Sequence, residues 1–332
     1  MWPHQHSLRS WHNGKMVSCC FYEGSNCHLD GIQHGMFGLI WHYLYSSFLR
    51  SCMKWILRII TGRCELQRIC ANTVEGAVRT MKIEYSLESS RNEILRTSVT
   101  IGEENVESRV HEIMKIKHVS AQKDPKFKLN LQVCLLQING FKKLFIEVEN
   151  LCKQPFDSSN KQHEDMLIKL WKLLMPHVPL ESRITKQWGD IGFQGEDPKT
   201  DFRGMGMLGL HNLVFFGEHY PEIAGQTLSQ SNHPKIGYSY AIVGINLTEM
   251  AYSMMKTGLL KPHLYNLVSG VPQMHDFHEF YCYLMYEFNN FWFKEEPTSI
   301  MEFNYYREQF HKRVKELLLD PNSVLTLKAN GQ

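Results

Sequence analysis

From Gly62 to near the C-terminus, apolar residues recur at the three-and-four spacing of α-helices, and this period bounds the fold more tightly than anything else in the chain. Candidate helices lie near 63–71, 81–97, 103–118, 127–153, 160–175 and 180–190, then near 203–219, 221–231, 236–257, 274–294 and 299–319. The punctuation agrees with the period. Asp157-Ser158-Ser159-Asn160 supplies cap-forming side chains ahead of the 160–175 run, and Pro176 and Pro179 close it. Pro272 stands before the aromatic run "MHDFHEFYCYLMYEFNNFWF", and Pro297 follows it. β-branched runs such as Arg96–Ile101 occur, but no repeated strand-turn pattern would build a sheet. An all-α architecture is expected, with no internal repeat of solenoid period.

Composition narrows what such a chain binds. Its 332 residues are 43% hydrophobic and 21% charged, a globular balance, and the formal charge of +2 gives no overall field for nucleic acid. Nine cysteines, an odd count without a CxxC pair, read as reduced thiols of a cytosolic protein rather than a disulfide framework.

The front of the chain changes character at Met36. Residues 1–35 show neither helical nor strand period and are expected to be disordered. Cys19, Cys20, Cys27, His28 and His34 are conceivable metal ligands there, but they lack the paired spacing of a zinc finger, and no metal is expected. On a helix over 42–60, Leu44, Tyr45, Phe48, Leu49, Cys52, Trp55, Ile56, Ile59 and Ile60 share one side, while Ser46, Ser47, Arg50, Ser51, Lys54 and Arg58 gather on the other. The uncharged stretch 36–49 is too short to span a bilayer. One reading is a helix in a membrane interface, with Trp41, Phe48 and Trp55 immersed and Arg50, Lys54 and Arg58 facing anionic headgroups. The other is an amphipathic helix packed on the protein's own core.

Most candidate chemistry reads as structure. Gly204-Met205-Gly206-Met207-Leu208-Gly209 spells the dinucleotide GxGxxG, but it follows a turn-like "EDPKTDF" instead of a strand, so close packing of small residues is the expectation. No GxxxxGK[ST] is present, so the chain does not cradle its own nucleotide phosphates. His275 and His278 lie at i, i+3 without a third ligand in sight, no GxSxG elbow occurs, and Cys134 sits in an apolar run. The stretch Trp188–Leu210 stands apart. Six glycines, a proline and four acids surround one arginine, Arg203. Either Arg203 pairs with Asp190, Glu196, Asp197 or Asp201, or it is an exposed guanidinium held out on a rigid base. An arginine supplied in trans stabilises the charge that develops during γ-phosphoryl transfer in a GTPase.

At these residues the chain resembles a known family. Trp188-x3-Gly192-Phe193-Gln194-x3-Pro198-x-Thr200-Asp201-Phe202-Arg203-Gly204-x-Gly206 is similar to the signature of the ELMO domain. More specifically, it resembles the short ELMO-domain proteins that activate Arf- and Arl-family GTPases. "HEDMLIKLWKLLMP" at 163–176, "IGYSYAIVGINLTEMAYS" at 236–253 and "FYCYLMYEFNNFWF" at 280–293 extend the likeness, which runs from Met36 onward. The resemblance implies an ELMO domain over 157–320, a helical part over 61–156 packed on it, and the amphipathic helix within 36–60. It implies GTPase activation with Arg203 as the catalytic arginine and the surrounding motif residues as loop support or partner contacts; the attacking water is oriented either by Gln194 or by a glutamine of the partner GTPase. No cofactor of the chain's own is expected, the partner carrying GTP and Mg²⁺; the chain itself is not a nucleotide-hydrolysing enzyme. Association with the endoplasmic reticulum, mitochondria or lipid droplets follows from the same likeness. The alternative is a non-catalytic adaptor that recruits a small GTPase or its exchange factor.

Overall fold

A computed structural model describes residues 9–12, 15–18 and 50–327. The chain divides into two compact units, Met1–Arg63 and Cys64–Gln332. In the first unit, β1 (Arg9–His12) and β2 (Lys15–Ser18) pair antiparallel, with Arg9 opposite Ser18 and His12 opposite Lys15. This hairpin departs from the expectation of disorder over 1–35. The sequence Asn13-Gly14 between the strands is a strong short-range signal for a two-residue hairpin connection. The cysteine and histidine positions considered for metal, Cys19 to His34, lie outside the described residues, as do Trp41 and Phe48.

The expected 42–60 helix is described from Arg50 as α1 (Arg50–Thr61). Its apolar side chains Trp55, Ile59 and Ile60 are 65%, 63% and 73% exposed. Among the described residues, no helix is long and apolar enough to cross a membrane.

The second unit is helical throughout its described length. Its helices are α2 (Glu65–Asn72), α3 (Ala77–Glu88), α4 (Glu93–Thr97), α5 (Val106–Lys117), α6 (Pro125–Lys153) and α7 (Lys161–Leu174). After the glycine-rich segment come α8 (Gly206–His219), α9 (Pro221–Ser231), α10 (Tyr240–Lys256), α11 (Lys261–Leu267), α12 (Met274–Glu295) and α13 (Phe303–Leu318). Three expectations are corrected. The run 81–97 is two helices, because Asn92 caps α4 by accepting the Leu95 N–H at 3.1 Å. Residues 180–190 form no α-helix; only Lys186–Ile191 coils, as a 3₁₀ turn. The seven-residue α11, opened by Pro262, gave too few turns for its period to register.

Two apolar cores share α6. Its N-terminal half, with Leu131, Leu135 and Ile138, packs on Ile83, Leu87, Val110 and Ile113 of α3 and α5. Its C-terminal half, with Leu144 and Val148, joins the larger core of Trp171, Phe216, Met254, Phe277, Phe288 and Trp292. Helix α8 runs through that larger core and packs on α6, α7, α10 and α12. Its buried residues include Leu208, Leu210, Leu213 and Phe216, the pattern of a helix surrounded on most sides. The segment that precedes α8 is therefore attached directly to the centre of the domain.

Candidate functional site

The chain between α7 and α8 is built on buried aromatic rings. Trp188, fully buried, meets Trp171 of α7 edge-on at 5.5 Å between ring centroids and Phe193 at 5.9 Å. Its indole N–H donates to the Arg183 carbonyl at 2.9 Å. Phe193 in turn meets Phe202 edge-on at 5.5 Å, and Phe202 stacks on Phe156 at 5.7 Å. Trp188, Phe193 and Phe202 are thus internal supports, each ring pair contributing roughly 0.5–1.5 kcal/mol beyond its buried area.

Glycine places the backbone where side chains have no room. Gly192 closes the Lys186–Ile191 turn at φ +83°, and a Cβ there would lie 2.3 Å from the Tyr240 amide nitrogen at the start of α10. Gly206 opens α8 at φ +52°, where a Cβ would lie 2.4 Å from the Gln154 carbonyl oxygen and 2.6 Å from that of Cys152. The Met207 N–H donates to the Gln154 oxygen at 2.8 Å. The GxGxxG backbone therefore abuts carbonyl oxygens at the end of α6, a surface that repels a pyrophosphate. Close packing accounts for Gly206, whereas Gly204 is exposed and a Cβ there meets nothing within 4 Å.

Between these glycines, Pro198–Arg203 forms a second 3₁₀ turn. Asp197 caps it by accepting the Lys199 N–H at 3.0 Å, and buried Pro198 occupies its first position. Asp201 accepts the Gln194 N–H at 2.8 Å, which ties the outer strand of the loop to the turn. Burial pushes the Asp201 carboxyl up, against the opposing pull of that N–H and of the Arg203 charge. Gln194, Thr200 and Gly204 are exposed around it.

Arg203 ends the turn, and its side chain is exposed. Its Nε donates to the Thr200 carbonyl at 3.1 Å, which fixes the root of the guanidinium. Among the described residues, no ion pair joins Arg203 to Asp190, Glu196, Asp197 or Asp201. Two of these acids are engaged elsewhere: Asp197 pairs with Arg183 at 2.9 Å, and Asp201 holds the Gln194 amide. Of the two readings of Arg203, the geometry favours the guanidinium held out on a rigid base. Arg183, Glu164 and Phe156 belong to this scaffold and were missed in the sequence, where no local spacing links them to the motif.

The remaining candidates are structural. His278 is buried, its Nδ1 lies 2.6 Å from Asn212 Oδ1, and burial pushes its pKa down to about 3. Cys134 is buried and its thiol is pushed up to about 11, far from a thiolate nucleophile. Among the described residues no cluster of three potential metal ligands occurs.

Comparison with known proteins adds the lineage of this scaffold. The model of the ELMO/CED-12 family matches residues 146–307, from the C-terminal half of α6 into α13. Human ELMO domain-containing protein 2 is 58% identical over 293 residues, covering 88% of this chain and 100% of that protein. ELMO domain-containing protein 1 of Pongo abelii is 50% identical over 300 residues, covering 85% and 92%. ELMO domain-containing protein B of Dictyostelium discoideum is 34% identical over 275 residues, covering 81% and 95%. The chain belongs to the ELMO/CED-12 family.

Proposed function

We propose that this chain is a GTPase-activating protein for Arf- and Arl-family small GTPases and that Arg203 enters the partner's nucleotide pocket as an arginine finger. The observation that carries the reading is the state of Arg203: an exposed guanidinium, anchored at Nε, on a turn whose acids are already engaged. Such a group reaches the developing charge on the γ-phosphoryl oxygens already oriented, with little reorganisation left to make. A trans-acting arginine accelerates hydrolysis roughly 10³–10⁵-fold, which corresponds to about 4–7 kcal/mol of transition-state stabilisation. Helix α1, with its exposed Trp55, Ile59 and Ile60 and its basic Lys54 and Arg58, would bring the activator to intracellular membranes, including the endoplasmic reticulum, mitochondria and lipid droplets.

Single-turnover GTP hydrolysis by a panel of Arf and Arl GTPases tests the reading. The wild-type chain is expected to accelerate at least one of them. Arg203→Lys is expected to be nearly as inactive as Arg203→Ala, because an ammonium lacks the planar fork of the guanidinium. Binding of a GTPase without faster hydrolysis, or full activity in Arg203→Lys, would move the chain to the adaptor class, with Arg203 as a loop anchor.

A further inference from the structure

The Arg203 turn is held at both ends, and one side chain touches both supports. Arg183 lies half-buried between α7 and the turn. Its Nε pairs with Glu164 in the first turn of α7, and its Nη1 pairs with Asp197 Oδ1 at 2.9 Å. Asp197 is the cap of the Pro198–Arg203 turn. At the far end of that turn Phe202 stacks on Phe156, and the Arg183 guanidinium lies 5.7 Å from the Phe156 ring centroid. A backbone link runs alongside, the Thr185 N–H donating to the Glu196 carbonyl at 3.0 Å.

We infer that Arg183 is the positioning residue of the finger: it locks the cap at one end of the turn and the ring support at the other, so that Arg203 projects in one direction. Arg183 also satisfies the charge of Asp197, the carboxylate at the head of the finger's own turn, and leaves it without demand for a second cation. A planar guanidinium suits this place, because two separate carboxylates and a ring face are met by one rigid group. Lysine, with a single ammonium, cannot span them. Half-buried Arg183 is committed to Glu164, Asp197 and the Phe156 ring, so its loss lowers the rate of the chemical step and leaves recognition of the GTPase in place.

This inference rests on the activator reading, and the test separates the two. Two variants cut the Arg183–Asp197 link while keeping the cap. Arg183→Gln leaves Asp197 in place, and Asp197→Ser keeps a good cap-forming oxygen that is too short to reach Arg183. Stimulated hydrolysis is measured against GTPase concentration for the full chain as wild type, each single variant, the double variant and Arg203→Ala. Folding is followed by circular dichroism and thermal midpoint. The expected result is a maximal stimulated rate at least about tenfold lower, inside the roughly 100-fold that a misplacement of about 1 Å costs. Half-saturation stays within about twofold of wild type. The double variant is no worse than the worse single one, because both remove the same link. A matching readout is binding to the GTPase loaded with GDP and aluminium fluoride, which both variants should weaken while binding to the GTP form is kept. If wild type stimulates and Arg203→Ala does not, yet folded Asp197→Ser and Arg183→Gln stimulate at the wild-type rate, the positioning role is wrong. A loss confined to half-saturation overturns it equally. If Arg183→Gln fails to fold, Asp197→Ser decides alone. No stimulation by wild type sinks the activator reading itself.

Discussion

Gly192 and Gly189 stand three residues apart around one turn, and only one of them is there for want of space. Gly192 adopts φ +83° and leaves a Cβ no room against the α10 backbone, whereas a Cβ at Gly189 meets nothing within 4 Å. Gly192→Ala is therefore expected to destabilise the fold by at least about 2 kcal/mol, combining left-handed strain with a backbone clash. Gly189→Ala should stay within about 0.5 kcal/mol of wild type. Urea denaturation of both variants checks this, and equal midpoints would show that the turn yields at little cost. The same contrast explains what the motif disclosed at the level of single residues. Trp188, Gly192, Pro198 and Arg203 were visible as unusual residues at fixed spacing. Which glycines bear a close contact was not visible, because the atoms they meet belong to Tyr240, Gln154 and Cys152, far away in sequence. Arg183 was hidden for the same reason: its partners are Glu164, Asp197 and the ring of Phe156.

Helices with their own caps were the most legible part of the fold. Asn160 accepts the Gln162 N–H at 2.9 Å at the start of α7, and Asp124 accepts the Phe127 N–H at 3.1 Å at the start of α6. Between α3 and α4 the break is only residues 89–92, and apolar residues resume at once with Ile94 and Leu95, so two helices read as one. The segment before α8 was illegible as structure because 3₁₀ turns have no long-range period to detect. Helix α1 shows the opposite case, a strong amphipathic period whose apolar side chains stand exposed. The proposal that α1 lies in an anionic membrane interface makes a definite prediction. The full chain should co-sediment with vesicles of phosphatidylcholine and phosphatidylserine. Replacing Ile59 and Ile60 together by serine should lower that partitioning at least about tenfold, since each immersed isoleucine contributes roughly 1.5–3 kcal/mol. Val74→Ser, at an exposed position between α2 and α3, serves as the control and should change nothing. Equal sedimentation of the isoleucine pair and wild type would remove α1 from the membrane.

The helical unit Cys64–Gln332 buries histidines that its cores can hold only in the neutral form, which sets the direction in which acid acts on the molecule as a whole. His263 is fully buried in α11, and burial lowers its pKa from 6.5 to about 4; its Nδ1 accepts the Leu325 N–H at 3.0 Å, so a proton there would displace that bond. His278 is lowered to about 3, by burial first and then by His211, His275 and His219 around it. Asn212 spends its amide N–H on Thr248 Oγ1 at 3.0 Å, so its oxygen accepts and His278 Nδ1 carries the proton, which holds the ring in one neutral tautomer. His211 and His311 are lowered too, again chiefly by burial. The sign follows from linkage. Each depressed histidine contributes stability that is full above its unfolded value of 6.5 and is lost as pH falls toward the folded value, because the unfolded chain binds the proton first. Asp201, whose carboxyl is raised, acts in the opposite sense: its contribution is full below its ordinary value of 3.8 and is lost as pH rises through the raised folded value. Between pH 6.5 and 5 the histidines therefore dominate. His263 and His278 should each remove about 1.4 kcal/mol per pH unit there. Unfolding free energies from urea titrations at pH 7, 6 and 5 are expected to fall with a slope of two protons or more. In His278→Gln, which keeps a donor for Asn212 and cannot titrate, the slope should drop by about one proton. An unchanged slope in that variant would mean that His278 takes up its proton without unfolding, which requires water or a charge partner to reach the ring beside α8.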